Sequence, residues 1–231
     1  MIPLRDENPA QSVPVVTRGL IVVNCVAFIY EITLGRGLRD FMFEWGLVPA
    51  RLSGALHFGE ESVTGPALTL LTSTFLHGGW LHLLGNMWYL WIFGDNIEDR
   101  LGKLRFLFFY LLAGVTAGVI HYVSNPASRY PTVGASGAIA AVLGAYAVTF
   151  PRARVITLVP IFLFFQVMAL PALVVLGLWF VYQFLIGTLA LAWGTGTGGG
   201  VAWWAHIGGF AFGALGVKIF GAGRRSKAGV A

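Results

Sequence analysis

Charge and cysteine are scarce in this sequence. Only 11% of its 231 residues are Asp, Glu, Lys or Arg, against about 25% in a soluble domain, which excludes an ordinary water-facing surface. The single cysteine, Cys25, excludes an internal disulfide; its place in an apolar run reads as a small buried side chain. His77 and His82 diverge on a helix and no Cys or carboxylate accompanies them, so neither a metal site nor any cofactor is expected. The first 17 residues are polar and hold Pro3, Pro9 and Pro14. No secretory signal is expected there, and the first apolar run reads as a retained span. No fixed internal period is visible. The net charge of +5 comes from short basic clusters between apolar blocks, which leaves no face for a nucleic acid.

What is present points to lipid. The chain is 57% hydrophobic and 14% aromatic, with 31 glycines, and its mean hydropathy is +0.76; glycine is frequent in spanning helices. With about 20 residues needed per crossing, six spans are predicted. They run over Gly19–Leu34, Pro66–Phe93, Phe106–Val123, Val133–Phe150, Pro171–Trp193 and Val201–Phe220. Val155–Leu170 is also apolar, but Pro160 and Pro171 bracket only ten residues. That is too short to cross, so the stretch reads as interfacial or as a broken approach to the fifth span. The expected fold is an all-α membrane protein. Its parts are a cytoplasmic tail over 1–17, a six-span domain over 18–220 and a basic cytoplasmic tail over 221–231. The loop Gly35–Gly65 mixes Phe41, Phe43, Trp45 and Phe58 with charges, which suits the headgroup layer. Gly194–Gly200 contains only Thr and Gly and is expected to be flexible.

Basic residues set the orientation. With the N-terminus inside, the inner segments collect Arg5, Arg18, Arg100, Lys103, Arg105, Arg152, Arg154, Lys218, Arg224, Arg225 and Lys227; the outer ones hold Arg36, Arg39, Arg51 and Arg129. Eleven against four, of the 15 Lys and Arg, places both termini in the cytoplasm.

Polar side chains within spans are costly and mark function. Three stretches qualify: His77 to Asn86, Gly134-Ala135-Ser136-Gly137, and Ala205-His206-Ile207-Gly208-Gly209. In this orientation spans two, four and six all begin outside, so His82, Ser136 and His206 share a depth below the outer surface. Ser136, Ala140 and Gly144 form one stripe of small residues; Gly209, Gly213 and Gly216 form another. Such stripes bring membrane helices to near backbone contact, which sets His206 beside Ser136. An imidazole in reach of a serine can take its proton during attack and return it to the leaving amine. Ser136 lies in the first turn of its span, where backbone N–H groups are unpaired. His82 and Asn86, four apart on one face, can add side-chain donors for an oxyanion. Glu31, near the outer end of span one, reads as a snorkelling side chain; His57 and His121 read as interfacial.

The His82-x-x-x-Asn86 span, the Gly134-x-Ser136-Gly137 span and the Ala205-His206-x-x-Gly209-x-x-x-Gly213 span, in that order, resemble the rhomboid intramembrane serine proteases. The resemblance covers essentially the whole chain. It implies a six-transmembrane-helix rhomboid-like bundle with Ser136 as nucleophile and His206 as base. It also implies an oxyanion site from His82, Asn86 and the Ser136 backbone, in a cavity opening outward. By the same resemblance span five, with Trp179 and Phe180, is the lateral gate for substrate. His77 matches a second histidine upstream in the family's motif, and Glu98 to Gly102 resembles a structural turn after span two. Two features depart from the pattern. The Trp-Arg pair of the first loop is absent, and Ala140 stands where some members place an aromatic that stacks on the histidine.

The expected function is therefore a serine endopeptidase of a bacterial inner or an organellar membrane, with the minimal six-span design and short tails resembling bacterial members. Its partners would be transmembrane protein substrates and membrane lipid, with no nucleic acid and no metal. The alternative is a rhomboid-like protein that holds membrane clients without cutting them. A small transporter is disfavoured by the lack of inverted repeats.

Overall fold

The computed structural model describes residues 1–162, 164–192 and 202–221. Gly194–Gly200 and the basic residues Arg224, Arg225 and Lys227 lie outside them. Nine α-helices are described: α1 (Val15–Thr33), α2 (Leu38–Trp45), α3 (Pro49–Ser53), α4 (Thr64–Thr72), α5 (Trp80–Leu101), α6 (Lys103–Ser124), α7 (Ser136–Thr149), α8 (Ala172–Ala192) and α9 (Trp203–Phe220). By length and apolarity α1, α6 and residues 172–190 of α8 can each cross a membrane; α7 is apolar but shorter.

Helix α7 is the axis of the bundle. It is apolar on every side, the pattern of a helix surrounded by others, and every residue from Gly137 to Ala147 is buried. Helices α5, α6, α8 and α9 pack around it, α9 most extensively. The small-residue stripes explain that contact. A Cβ on Gly144 would fall on the Phe210 carbonyl, one on Gly209 on the Gly137 carbonyl, and one on Gly213 on the Ala141 carbonyl. Gly216 differs: its added Cβ would meet Phe109 of α6 at an ordinary 3.6 Å.

The expectation of an all-α fold is corrected by a three-stranded antiparallel sheet. Strands β1 (Ile2–Asp6), β2 (Arg154–Ile161) and β3 (Phe164–Pro171) lie in the order β1-β2-β3. The stretch between span four and span five is thus a hairpin, with Arg154 opposite Pro171 and Ile161 opposite Phe164. Its Val155, Ile156, Thr157, Val159 and Ile161 are β-branched, and β-branched side chains favour a pleated, half-buried surface. Val155 and Thr157 are fully buried, on one face at a period of two. Pro160 is tolerated because β1 pairs only as far as Leu158, so no partner needs an N–H there. The N-terminal stretch is likewise partly a strand rather than a free tail, and Trp88 of α5 donates its indole N–H to the Pro3 carbonyl at 2.7 Å.

Span two is also subdivided. The predicted Pro66–Phe93 helix breaks into α4, a 3-10 turn over Ser73–Phe75, an open segment around Gly78 and Gly79, and then α5. The loop Gly35–Gly65 is mostly helical, carrying α2, α3 and a π-helical turn over Gly54–Phe58. Among its side chains Arg51 pairs with Glu61 at 2.6 Å.

Candidate active site

Ser136 is the first residue of α7, because Gly134, with φ of +133°, turns the chain into the helix there. A Cβ at Gly134 would lie 2.7 Å from the His82 ring, so only glycine lets this loop pass the histidine. His206 is the fourth residue of α9. The backbone contact of α7 with α9 sets the two side chains face to face: Ser136 Oγ lies 2.7 Å from His206 Nε2. The other ring nitrogen, Nδ1, lies 2.7 Å from Gln183 Oε1 on α8. A side-chain carbonyl only accepts, so Nδ1 carries the proton and Nε2 turns its lone pair to the serine hydroxyl.

Trp179 and Trp203 flank the histidine, with ring centroids 6.0 and 6.4 Å from it. Ala140 is fully buried, and a Cβ on Gly209 would come within 3.3 Å of its own. An aromatic at 140 would hold α9 away, so the support that Ala140 does not give the histidine comes from α8 instead.

His82 sits in the first turn of α5, and its Nδ1 accepts the Gly78 N–H at 3.3 Å. Asn86, one turn on, is buried, and its Nδ2 has no protein partner. His77 is buried with neither ring nitrogen bonded; its ring meets His82 at 5.2 Å and Phe28 edge-on at 6.5 Å. Its backbone N–H donates to the Glu31 carboxylate at 3.2 Å. Glu31 is buried, so the snorkelling expectation is corrected: the carboxylate turns inward because the open segment before α5 leaves an N–H without a helical partner. His121 is corrected too, buried with its Nε2 2.8 Å from Thr132 Oγ1. His57 is exposed, and Cys25 is half-buried. Trp179 and Phe180 face α9: Trp179 stacks on Phe210 at 6.1 Å and Phe180 meets the same ring, tilted, at 4.7 Å.

Two buried polar residues lie outside the three motifs, the first of them in the Glu98 to Gly102 stretch expected to be structural. Glu98 is buried and accepts the backbone N–H groups of Val16 and Thr17, which caps α1. Gln183 touches the histidine and belongs to none of the three motifs. Its sequence signal is its setting: an amide inside an apolar span needs a partner. Among the described residues no group of three or more His, Cys, Asp or Glu is set to hold a metal.

Comparison with known proteins matches residues 64–222 to the rhomboid domain family. The mouse presenilin-associated rhomboid-like protein, mitochondrial, is 41% identical over 108 residues, 46% of this chain and 29% of that protein. The rhomboid protease GluP of Bacillus subtilis (strain 168) is 46% identical over 76 residues, 33% of this chain and 14% of that protein. The putative rhomboid protease YdcA of the same bacterium is 42% identical over 77 residues, 33% of this chain and 38% of that protein. The chain thus aligns with less than two-fifths of the length of each of these relatives.

Proposed function

This chain belongs to the rhomboid family and is a multi-pass integral membrane protein, and on that premise we propose that it is an intramembrane serine endopeptidase. The observation that carries the reading is the 2.7 Å approach of Ser136 Oγ to His206 Nε2. Attack by Oγ on a scissile carbonyl carbon passes the hydroxyl proton to Nε2. The resulting oxyanion takes hydrogen bonds from the first-turn N–H groups of α7, from Asn86 Nδ2 and from His82. His206 then protonates the leaving amine, and water hydrolyses the acyl-enzyme by the same route in reverse roles.

The six spans of this reading are α1, α5, α6, α7, α8 and α9, with both termini cytoplasmic on the eleven-to-four distribution of basic residues. Ser136, His206 and His82 then lie toward the outer side, where water reaches them. The substrate is a transmembrane segment of another protein, unwound locally because a helical peptide bond is shielded by its own turn. It enters from lipid past α8, with Trp179 and Phe180 at the gate. The setting of this reading is a bacterial plasma membrane, which the Bacillus relatives support, while the mouse relative is a mitochondrial protein.

The test is cleavage of a reporter transmembrane substrate in liposomes, together with labelling by a fluorophosphonate. Ser136→Ala and His206→Ala are expected to abolish both while the protein stays folded. Cleavage that survives Ser136→Ala overturns the assignment. A wild-type protein that binds the substrate but neither cleaves nor labels is the non-catalytic, client-holding alternative.

A further inference from the structure

Helix α8 faces lipid along most of its length: Leu178, Val181, Tyr182, Phe184 and Leu185 are all exposed. Gln183 sits among them at only 6% exposure. An amide in such a helix is expensive unless it is bonded, and its Oε1 lies 2.7 Å from His206 Nδ1. No other described hydrogen bond reaches the histidine ring except that to Ser136. The titratable groups that act on His206 are His82 from α5 and His121 from α6, both histidines. A neutral acceptor on a neighbouring helix therefore stands where a triad would place its carboxylate.

We propose that Gln183 is a positioning residue, whose side-chain carbonyl holds the Nδ1–H of His206 and makes the readiness of the Ser136–His206 pair depend on how α8 is seated against α9. Two consequences follow from the chemistry. The carbonyl fixes the tautomer that presents a lone pair to serine; without it Nε2 can carry the proton and cannot accept another. It also fixes the ring plane, jointly with Trp179 on the same helix, 6.0 Å away. Both supports are on α8, so a shift of that helix withdraws them together. A seated α8 gives an ordered base, and a displaced α8 gives a histidine free to turn.

The proposal rests on the serine protease reading, and its test separates the two. Gln183→Leu keeps the volume and removes the acceptor; kcat is expected to fall roughly 10- to 100-fold, since general-base help is partly lost, with KM within about twofold. Gln183→Glu keeps the acceptor and adds charge. It is expected to retain most activity while the acid limb of the kcat/KM profile moves to higher pH by about one unit, because a carboxylate favours the protonated imidazole, which is inactive as a base. A merely structural staple between α8 and α9 would lower thermal stability in Gln183→Leu but leave the kcat of the folded variant near wild type. Should Gln183→Leu fail to fold, the Gln183→Glu profile decides: an unmoved limb overturns the proposal. An unchanged kcat in a folded Gln183→Leu overturns it as well. In either case loss of cleavage in Ser136→Ala leaves the protease reading standing, whereas cleavage by Ser136→Ala removes that reading itself.

Discussion

Glu98 caps a helix whose second and third residues lie 82 and 81 positions earlier in the chain. Its carboxylate accepts the Thr17 N–H and hydroxyl, each at 2.8 Å, and the Val16 N–H at 3.1 Å. Helix α1 starts after Pro14 with no side-chain cap of its own, so without Glu98 a buried and a half-buried backbone donor go unpaired at its positive end. Glu98→Ala is expected to cost about 2 kcal/mol, by lost capping and exposed donors, read as a lower Tm in detergent; Glu98→Gln should recover part of it. Gly134 makes a different demand. Alanine there combines an unfavourable φ with a methyl 2.7 Å from the His82 ring. Gly134→Ala should therefore displace His82 and lower kcat about 100-fold, as for a lost oxyanion donor, and the unfavourable φ should lower the Tm as well. A Tm drop without a kcat effect would place Gly134 in the fold rather than in the site.

Helix packing explains why some glycines matter and their neighbours do not. Gly213 and Gly216 both belong to the stripe visible in the sequence, yet only Gly213 touches α7 backbone. Gly213→Ala is expected to destabilise by about 1–3 kcal/mol through overpacking and to slow fluorophosphonate labelling as His206 is pushed away from Ser136. Gly216→Ala, with room beside Phe109, should stay within about 0.5 kcal/mol. Equal effects in thermal unfolding would mean that the stripe acts as a unit. The long helices α1, α6, α8 and α9 were legible because long apolar runs between charge clusters leave few alternatives, whereas the short helices α2 and α3 and the break in span two were not. The approach of Ser136 to His206 was legible too, because small residues four apart report backbone contact. The hairpin over 154–171 was not legible, since a short apolar run between prolines fits a strand, a broken helix or an interfacial loop equally well. Nor was the Gln183 contact: hydrogen bonds between helices depend on how each is rotated, which spacing along one chain does not encode.

At the scale of the molecule, the sheet joins the start of the chain to the helical bundle, so the stretch before α1 is part of the fold. Strand β1 pairs with β2, and Asp6 at its end accepts the Tyr146 hydroxyl of α7 at 2.6 Å. Burial pushes the Asp6 carboxyl above its ordinary 3.8, and the hydrogen bond from Tyr146 offsets only part of that. The folded state therefore binds this proton more tightly than the unfolded chain does. Its stabilising contribution is fully present below 3.8 and is lost as pH rises through the folded-state value. At neutral pH the half-buried carboxylate is a cost that the tie to Tyr146 bears. Asp6→Asn keeps an acceptor for the hydroxyl and removes the charge. It should raise the Tm at pH 7 by on the order of a few degrees, with the gain shrinking as the pH is lowered toward about 4. Asp6→Ala removes the acceptor as well and should lower the Tm at both ends of that range. Thermal unfolding of the three proteins across the pH series is the measurement. A wild-type curve parallel to that of Asp6→Asn would show that this carboxylate is solvated and adds nothing to the hold on β1.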